Sequence, residues 1–287
     1  MSRSDSFDLG DHICVLTSTA EQRLATMLAV AADGLAGGQM VMVLSVSPPP
    51  AAVEEVLTER IDGAAAGLDS GQLQVLPARE LYLADHRFNP RVFEAMAGAI
   101  DGALAAGYSG LRVAADMTWA VSPSVDTAGL ADYEAAVNAL ALDGRAFGAC
   151  LYERRGMDPG LMRSIIQSHP ATTRHPPVAP QLRMRRTYRP YGIAFHGEAD
   201  ISNRNAVQSA LNATLDARPD NCSELVLDVS ELHFADVSVA AAVSSLATRT
   251  SGLVRIVGCH GVVALLFQHL GLNDTSGVKV SPSEPCT

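Results

Sequence analysis

The stretch ELVLDVSELHFADVS at residues 224–238 decides the fold of the C-terminal part of this chain. It opens with the apolar run LVL at residues 225–227, which is typical of a strand buried on both faces. It closes with Asp236 and Ser238, residue types that favour the start of a helix. A buried strand followed by a capped helix is characteristic of an α/β domain, and we predict that fold here.

The elements around this stretch complete the domain. We predict strands at 192–196 and 254–257, helices at 203–217, 239–248 and 262–270, and a short last strand near Val278. Together with the strand at 224–229, these elements alternate along the chain and predict a small α/β domain at residues 191–281.

The N-terminal part shows the same alternation on a larger scale. We predict strands at 12–16, 40–46, 73–76, 111–115 and 147–152, and helices at 21–35, 51–61, 91–106 and 130–142. Such alternation indicates a mostly parallel sheet with helices on both faces, in which ligands bind at the carboxyl ends of the strands. The sequence thus predicts an α/β domain at residues 9–170.

Proline separates the two domains. It recurs at positions 170, 176, 177, 180 and 190, and we assign residues 171–190 to a linker. Five arginines and no acidic residue lie in this region, at positions 174, 183, 185, 186 and 189. They suit either a solvated connector or a segment that docks on an acidic surface or a phosphate-bearing partner.

Composition excludes several classes of protein. The formal charge is −10 and Lys279 is the only lysine, so nucleic acid is not expected as a partner. No apolar run is long enough to cross a membrane, and the five cysteines lack CxxC spacing. No segment near the N-terminus resembles a signal peptide. We therefore expect a reduced, cytoplasmic protein that does not bind or cross membranes.

The C-terminal domain resembles the STAS family of anti-sigma-factor antagonists. The resemblance rests on GEADIS (197–202), ELVLDVSELHFADVS (224–238) and LFQHLGL (266–272). It implies a partner that is an anti-sigma factor or a related kinase-type regulator, docking near Asp236, Val237 and Ser238. In the family a serine that the kinase phosphorylates follows the aspartate, but Val237 stands there, so ordinary phosphoswitching is not expected. Ser238 either accepts phosphate one residue later or caps the helix.

The N-terminal domain resembles the MEDS sensory domains, typified by the regulator of dichloromethane dehalogenase. The matching segments are GDHIC (10–14), AADMTWAV (114–121), YEAAVN (133–138), ACLYERR (149–155) and SHP (168–170). The domain also looks like a degenerate, RecA-like ATPase, because the strand at 111–115 ends in Asp116. However, residues 17–22 contain neither the glycines nor the lysine of a P-loop, so ATP is not expected as a cofactor.

Candidate ligand-binding residues are polar or aromatic and fall within these segments: His12, Asp116, Trp119, Glu134, Asn138, Tyr152 and His169. Glu134 and Asn138 are four residues apart, so both can face one site. His12 and Cys14 are candidate metal ligands that could join Cys150 or His169, since softer metals favour such donors. The alternative is that these side chains only pack or form hydrogen bonds.

The resemblances predict a non-catalytic signalling regulator, in which the first domain senses an unidentified small molecule and the second acts like an anti-sigma-factor antagonist. Two alternatives remain from the residues alone. One is an enzyme of small molecules with His12 and Asp116 as acid and base. The other is a scaffold that forms a homodimer or larger oligomer without a ligand.

Overall fold

The computed structural model describes residues 7–250 and 252–282, which form two α/β domains. In the first domain the strands are β1 (His12–Thr17), β2 (Met40–Ser45), β3 (Leu73–Pro77), β4 (Leu83–Ala84), β5 (Arg87–Phe88), β6 (Leu111–Asp116), β7 (Ala146–Glu153) and β8 (Ala171–Arg174). Its helices are α1 (Ala20–Ala36), α2 (Pro50–Arg60), α3 (Ala64–Ser70), α4 (Ala78–Tyr82), α5 (Val92–Ala105), α6 (Leu130–Ala141) and α7 (Pro159–Gln167).

Within the described residues, six strands of the first domain form one sheet in the order β3-β2-β6-β7-β1-β8, and every pairing is parallel. β4 and β5 form a separate hairpin. Two apolar cores lie on opposite faces of the sheet, one with α1, α2 and α3 and the other with α5, α6 and α7. This is the predicted arrangement of a parallel sheet between two helical layers.

Local sequence explains where two of these helices begin. The Thr19 side chain accepts a hydrogen bond from the Gln22 amide at 3.3 Å and caps α1. Asp158 likewise accepts from the Leu161 amide at 2.8 Å, and Pro159 occupies the first position of α7. The helices α3 and α4, of seven and five residues, were not predicted because they are too short for a clear periodicity. The helix α7 was also missed, although Leu161, Met162 and Ile165 recur at helical spacing.

The second domain contains β9 (Leu182–Tyr188), β10 (Tyr191–Ala199), α8 (Arg204–Asp216), β11 (Glu224–Ala235), α9 (Val237–Arg249), β12 (Leu253–Cys259), α10 (Gly261–His269) and β13 (Val278–Pro282). The sheet order is β13-β12-β11-β10-β9. β9 pairs antiparallel with β10 and the other neighbours are parallel, so the sheet is mixed. A side chain at Gly192 would meet the Val226 carbonyl oxygen at 1.8 Å, so the close approach of β10 to β11 requires glycine there.

The connection between the domains is shorter than the linker predicted for residues 171–190. β8 joins the edge of the first sheet and β9 joins the edge of the second, which leaves residues 175–181 between them. Prolines at 176, 177 and 180 lie in that short segment, whereas β8 and β9 contain no proline and are paired in their sheets. Proline therefore marks only the centre of the predicted linker.

The two domains pack directly against each other through α6 and α8, with α7 also contacting α8. The Ser209 hydroxyl in α8 donates to the carbonyl of Ala135 in α6 at 2.6 Å. Asn203, just before α8, donates to the Pro170 carbonyl at 3.3 Å. The first contact ends on α6 and the second on the loop after α7, and both of these segments also face the interior of the first domain.

Arginines of β9 bind acidic residues of the first domain. Arg183 and Arg185 place guanidinium nitrogens 3.2 and 2.9 Å from Oδ1 of the buried Asp11. Arg186 lies 3.2 Å from Asp143, and its amide donates to the Leu142 carbonyl. These three arginines therefore do dock on an acidic surface, and that surface belongs to the same chain.

Among the residues that the structure describes, no helix combines the length and the apolar character needed to cross a bilayer.

Candidate functional site

The helix α6 presents two different faces. Tyr133, Glu134, Val137 and Asn138, spaced three and four residues apart, lie on the side that faces the sheet. Ala135, Ala136 and Ala139 lie on the side that faces α8. The helix therefore has a polar pair directed into the first domain and small residues directed at the second.

The strands β1 and β7 supply the other side of the same interior space. His12 pairs with Gly148, Cys14 with Cys150 and Leu16 with Tyr152 in the parallel register. Because successive side chains of a strand point to opposite faces, the side chains of these alternate positions lie on one face of the sheet. That face is covered by α6.

Four buried side chains meet there and form what we call the four-residue cluster: His12, Glu134, Cys150 and His169. Oε2 of Glu134 lies 3.3 Å from Nε2 of His12 and 3.4 Å from Nε2 of His169. The Cys150 sulfur lies 3.5 Å from both the His12 nitrogen and the Glu134 oxygen. All four facing atoms lie within 4.8 Å of one another.

Hydrogen bonds behind the cluster fix the orientation of His12. The side-chain nitrogen of Asn138 donates to the carbonyls of Ala135 at 2.9 Å and Ser168 at 2.8 Å. Since carbonyls only accept, the Asn138 oxygen must face His12 Nδ1, which lies 3.1 Å away and therefore carries a hydrogen. In a neutral imidazole, Nε2 of His12 then presents a lone pair to the cluster.

His169 is held in the same way. Its Nδ1 lies 2.8 Å from the Ile165 carbonyl oxygen, an acceptor, so Nδ1 is the donor. Its Nε2 is buried and has no hydrogen-bond partner. Both imidazoles thus direct unprotonated nitrogens at Glu134 when they are neutral.

The titration behaviour of the cluster follows from its burial. Burial and the like charge of His169 lower the pKa of His12, so neutral imidazole is favoured. Burial alone would raise the pKa of Glu134, but the positive charge that His169 and His12 carry when protonated, with Nε2 atoms 3.4 and 3.3 Å from the carboxylate, holds that pKa below its ordinary value. Burial and the nearby carboxylate raise the pKa of the Cys150 thiol. These contacts therefore favour the anionic form of Glu134, and burial favours the neutral thiol of Cys150.

Tyr152 supports the carboxylate, because its hydroxyl donates to Oε1 of Glu134. Removing this hydroxyl with Tyr152→Phe leaves a buried carboxylate with one donor fewer, and we expect the free energy of unfolding to fall by about 1.5–3 kcal/mol. Urea unfolding followed by circular dichroism measures this loss. Tyr108→Phe, at a half-buried position, is the control. A loss below about 0.5 kcal/mol in Tyr152→Phe would contradict the role assigned to the hydroxyl.

A cavity of about 50 Å³ adjoins the cluster between the sheet and the helices α5 and α6. His12 and Cys150 line it, and most other lining residues are apolar, among them Met96, Ile100 and Val137. A water molecule needs only about 10–15 Å³ of such space, so the cavity has room for a small molecule of a few heavy atoms. An apolar cavity with a few convergent polar groups is typical of small-molecule sites.

The structure brings together five of the predicted ligand-binding residues, His12, Glu134, Asn138, Tyr152 and His169. They lie over the face of the sheet, under α6, so the predicted position at the carboxyl ends of the strands is wrong for this cluster. The reason is that His12 is the first residue of β1, at the amino end.

Asp116 lies apart from the cluster, at the carboxyl end of β6. Its oxygens accept from the amides of Val46 and Ser47 and from the amide and hydroxyl of Thr118. Asp116 thereby links the carboxyl end of β6 to the residues that follow β2. Because all strands of the sheet run parallel, His12 at the start of β1 and Asp116 at the end of β6 lie at opposite ends of the strands, and they do not form an acid–base pair.

Trp119 is fully buried beside Tyr82 and Phe88, with ring centroids 5.6 and 6.3 Å away. Tyr82 lines the cavity and Trp119 does not, so the tryptophan packs one layer behind the cavity wall.

Of the two metal candidates, Cys14 lies outside the four-residue cluster and Cys150 takes its place. The signal for Cys150 was its alternation with Tyr152 along one strand.

The sequence comparisons agree with this architecture. A family model described as MEDS, the MEthanogen/methylotroph, DcmR Sensory domain, matches residues 11–170, more than half of the chain. The chain belongs to the MEDS family. A STAS domain model matches residues 181–285, so the MEDS domain is followed by a STAS domain. No curated protein matches the chain. The domain pair indicates a signalling or regulatory protein.

The STAS domain exposes an apolar patch where the resemblance predicted the partner surface. We call it the STAS patch; it is formed by Phe234, Val237, Val262 and Leu265, whose exposed fractions range from 40% to 62%. Clustered exposed apolar side chains mark interaction surfaces more often than scattered ones. The patch borders the start of α9.

Asp236 caps α9 by accepting from the Ser238 amide at 2.8 Å, and its other oxygen accepts from the Ile201 amide at 2.9 Å. The Ser238 hydroxyl donates to the same carboxylate at 2.5 Å. Ser238 is thus engaged in the helix start, and Val237, at the position that the family resemblance assigns to the phosphoacceptor, carries no hydroxyl.

Proposed function

We propose that this chain is a non-catalytic cytoplasmic regulator that senses a small, largely apolar molecule with its MEDS domain. The STAS domain then passes the signal to an anti-sigma factor or a related kinase-type regulator. The supporting observation is that one helix, α6, both covers the ligand cavity and packs on the STAS domain. Binding of a ligand that favours one position of α6 changes the contacts of α8.

The route from the cavity to the STAS patch consists of packed helices. Val137 lines the cavity, and the Ala135 carbonyl, on the other side of α6, accepts from Ser209 in α8. The helix α8 packs in turn against α9, whose first residue is the exposed Val237. Three successive helices therefore connect the two surfaces without an intervening flexible segment.

The same arrangement suits a protein that does not rely on phosphorylation. Val237 carries no hydroxyl, and the Ser238 hydroxyl already donates to Asp236. A phosphate on Ser238 would place nearly two negative charges beside the Asp236 carboxylate, which is unfavourable. In this proposal ligand binding in the MEDS domain replaces phosphorylation as the input to the STAS domain.

Hydrogen–deuterium exchange tests the coupling within the full chain. Dichloromethane, a small apolar probe, is expected to slow amide exchange in α6 and also in α8 and at the start of α9. Slower exchange reports fewer local openings of the hydrogen-bonded backbone. Val137→Phe, which fills the cavity, is expected to abolish the effect. Ala105→Val, at an exposed position of α5 that lines neither the cavity nor the α6–α8 contact, is the control.

Two outcomes would count against the proposal. Protection confined to α5 and α6 would show binding without transmission to the STAS domain. A response that persists in Val137→Phe would place the probe outside the cavity.

A further inference from the structure

The four-residue cluster has more acceptors than protons. When both imidazoles are neutral, their Nε2 lone pairs and one carboxylate oxygen converge on a shared centre, and the Cys150 thiol is then the one facing group that carries a hydrogen. The Nε2 atom of His169 is fully buried and has no hydrogen-bond partner. Buried polar atoms without partners are costly, so this arrangement calls for a cation at its centre.

The distances fit one coordination geometry. Metal–nitrogen and metal–oxygen bonds of about 2.0–2.2 Å and a metal–sulfur bond of about 2.3 Å place tetrahedral ligand atoms about 3.3–3.6 Å apart. The contacts between Glu134, His12 and Cys150 measure 3.3–3.5 Å, and His169 lies 3.4 Å from Glu134. Four of the six donor–donor distances thus match tetrahedral coordination, and the other two are no longer than 4.8 Å.

We propose that the four-residue cluster is a binding site for Zn²⁺, held by its two imidazole Nε2 atoms, its carboxylate oxygen and its thiolate. Nitrogen and sulfur donors exclude Mg²⁺ and Ca²⁺, which prefer oxygen. The Glu134 oxygen lies 3.3–3.5 Å from each of the other three donors, a spacing that favours a full fourth ligand over the long, weak axial ligand of blue-copper sites.

Charge and supporting contacts agree with this assignment. The carboxylate and the thiolate together carry two negative charges, so a divalent ion makes the buried site neutral. On binding, the thiol of Cys150 loses its proton to solvent and the sulfur forms the bond to the metal. Each histidine donates its other ring N–H to a side-chain or backbone oxygen, as metal-bound histidines do.

The metal site itself does not depend on the proposed function. Only its role in sensing rests on that proposal. His12 and Cys150 also line the adjoining cavity, so the metal would lie at one end of the space assigned to the small molecule. A ligand with a polar atom could then approach the metal while its apolar part occupies the cavity.

Spectroscopy of the Co²⁺ form tests the metal site directly. The full-length protein, treated with a chelator and dialysed, is titrated with Co²⁺. We expect one equivalent to bind, with d–d bands of tetrahedral intensity and a near-ultraviolet thiolate-to-cobalt charge-transfer band. Zn²⁺, which binds such ligands more tightly, should remove both signals. Octahedral cobalt spectra, or an absence of stoichiometric binding, would overturn the proposal.

Variants assign the ligands. Cys150→Ser is expected to abolish the charge-transfer band and to weaken Zn²⁺ binding more than Asn138→Ala does, for which a loss of about 10–100-fold is expected. Cys14→Ser is the matched control, because Cys14 is equally buried and pairs with Cys150 in the strand register but lies outside the cluster. A charge-transfer band that persists in Cys150→Ser, or disappears in a folded Cys14→Ser protein, would contradict the assignment.

The experiments can refute the metal site and the proposed function independently of each other. Stoichiometric Zn²⁺ binding with no dichloromethane-dependent change in the exchange of α8 would leave the site intact and refute the coupling. A normal exchange response in protein that binds neither Zn²⁺ nor Co²⁺ would refute the site alone.

Discussion

Asp11→Asn is expected to weaken the attachment of the STAS domain to the MEDS domain. Asp11 is buried and accepts from guanidinium groups of Arg183 and Arg185, both on β9 of the STAS domain. Removing one partner of a buried ion pair costs about 3–5 kcal/mol, and partial exposure of the two arginines reduces this to about 2–4 kcal/mol. The loss is measured as a lower free energy of unfolding.

Scanning calorimetry and hydrogen exchange distinguish a loosened interface from general instability. In Asp11→Asn we expect the two domains to unfold in separate transitions, with faster exchange in β9 and α8 while the sheet of the MEDS domain stays protected. Asp8→Asn is the control, since Asp8 is exposed and lies at 4.0 Å from Arg183. Equal effects of the two substitutions would show that the buried position of Asp11 is unimportant.

Trp119→Ala is expected to cost about 3–5 kcal/mol in the free energy of unfolding, the usual loss for truncating a large buried aromatic residue. Trp119 is fully buried and stacks near Tyr82 and Phe88. Because it lies behind the cavity wall, Co²⁺ binding in the folded variant should be unchanged. Trp119 is the only tryptophan, so unfolding must be followed by circular dichroism rather than by tryptophan fluorescence.

Trp119→Phe provides the comparison for this prediction. The indole Nε1 is buried without a hydrogen-bond partner, so its removal relieves a polar penalty of about 1–3 kcal/mol that offsets part of the lost packing. We expect a much smaller loss of stability than in Trp119→Ala. If instead Trp119→Ala kept wild-type stability but lost the response to dichloromethane, Trp119 would be a ligand contact and not a packing residue.

Much of the site could be predicted because it depends on short-range periodicity. Glu134 and Asn138 share one face of a helix at a spacing of four, and Cys150 and Tyr152 share one face of a strand at a spacing of two. These rules place residues on a face without knowledge of the tertiary structure. The α/β fold, with its alternating strands and helices, could be predicted for the same reason.

Other features depend on which elements become neighbours in space. The order β6-β7-β1 decides that Cys150, and not Cys14, faces His12, and no local pattern contains that order. The binding of Arg185 to Asp11 joins residues 174 positions apart. Long-range pairings of this kind are set by the topology, so the arginine-rich segment could be interpreted as a solvated linker from sequence alone.

The position of Leu142 has a consequence for biosynthesis. This leucine follows α6 in the MEDS domain, yet its side chain is buried among the core residues of the STAS domain. Because a protein emerges from the ribosome N-terminus first, the MEDS domain folds with Leu142 and one side of α6 still exposed to water. Translation must continue through α8 before that surface is covered. A nascent or prematurely terminated chain therefore exposes an apolar surface of the kind that chaperones bind.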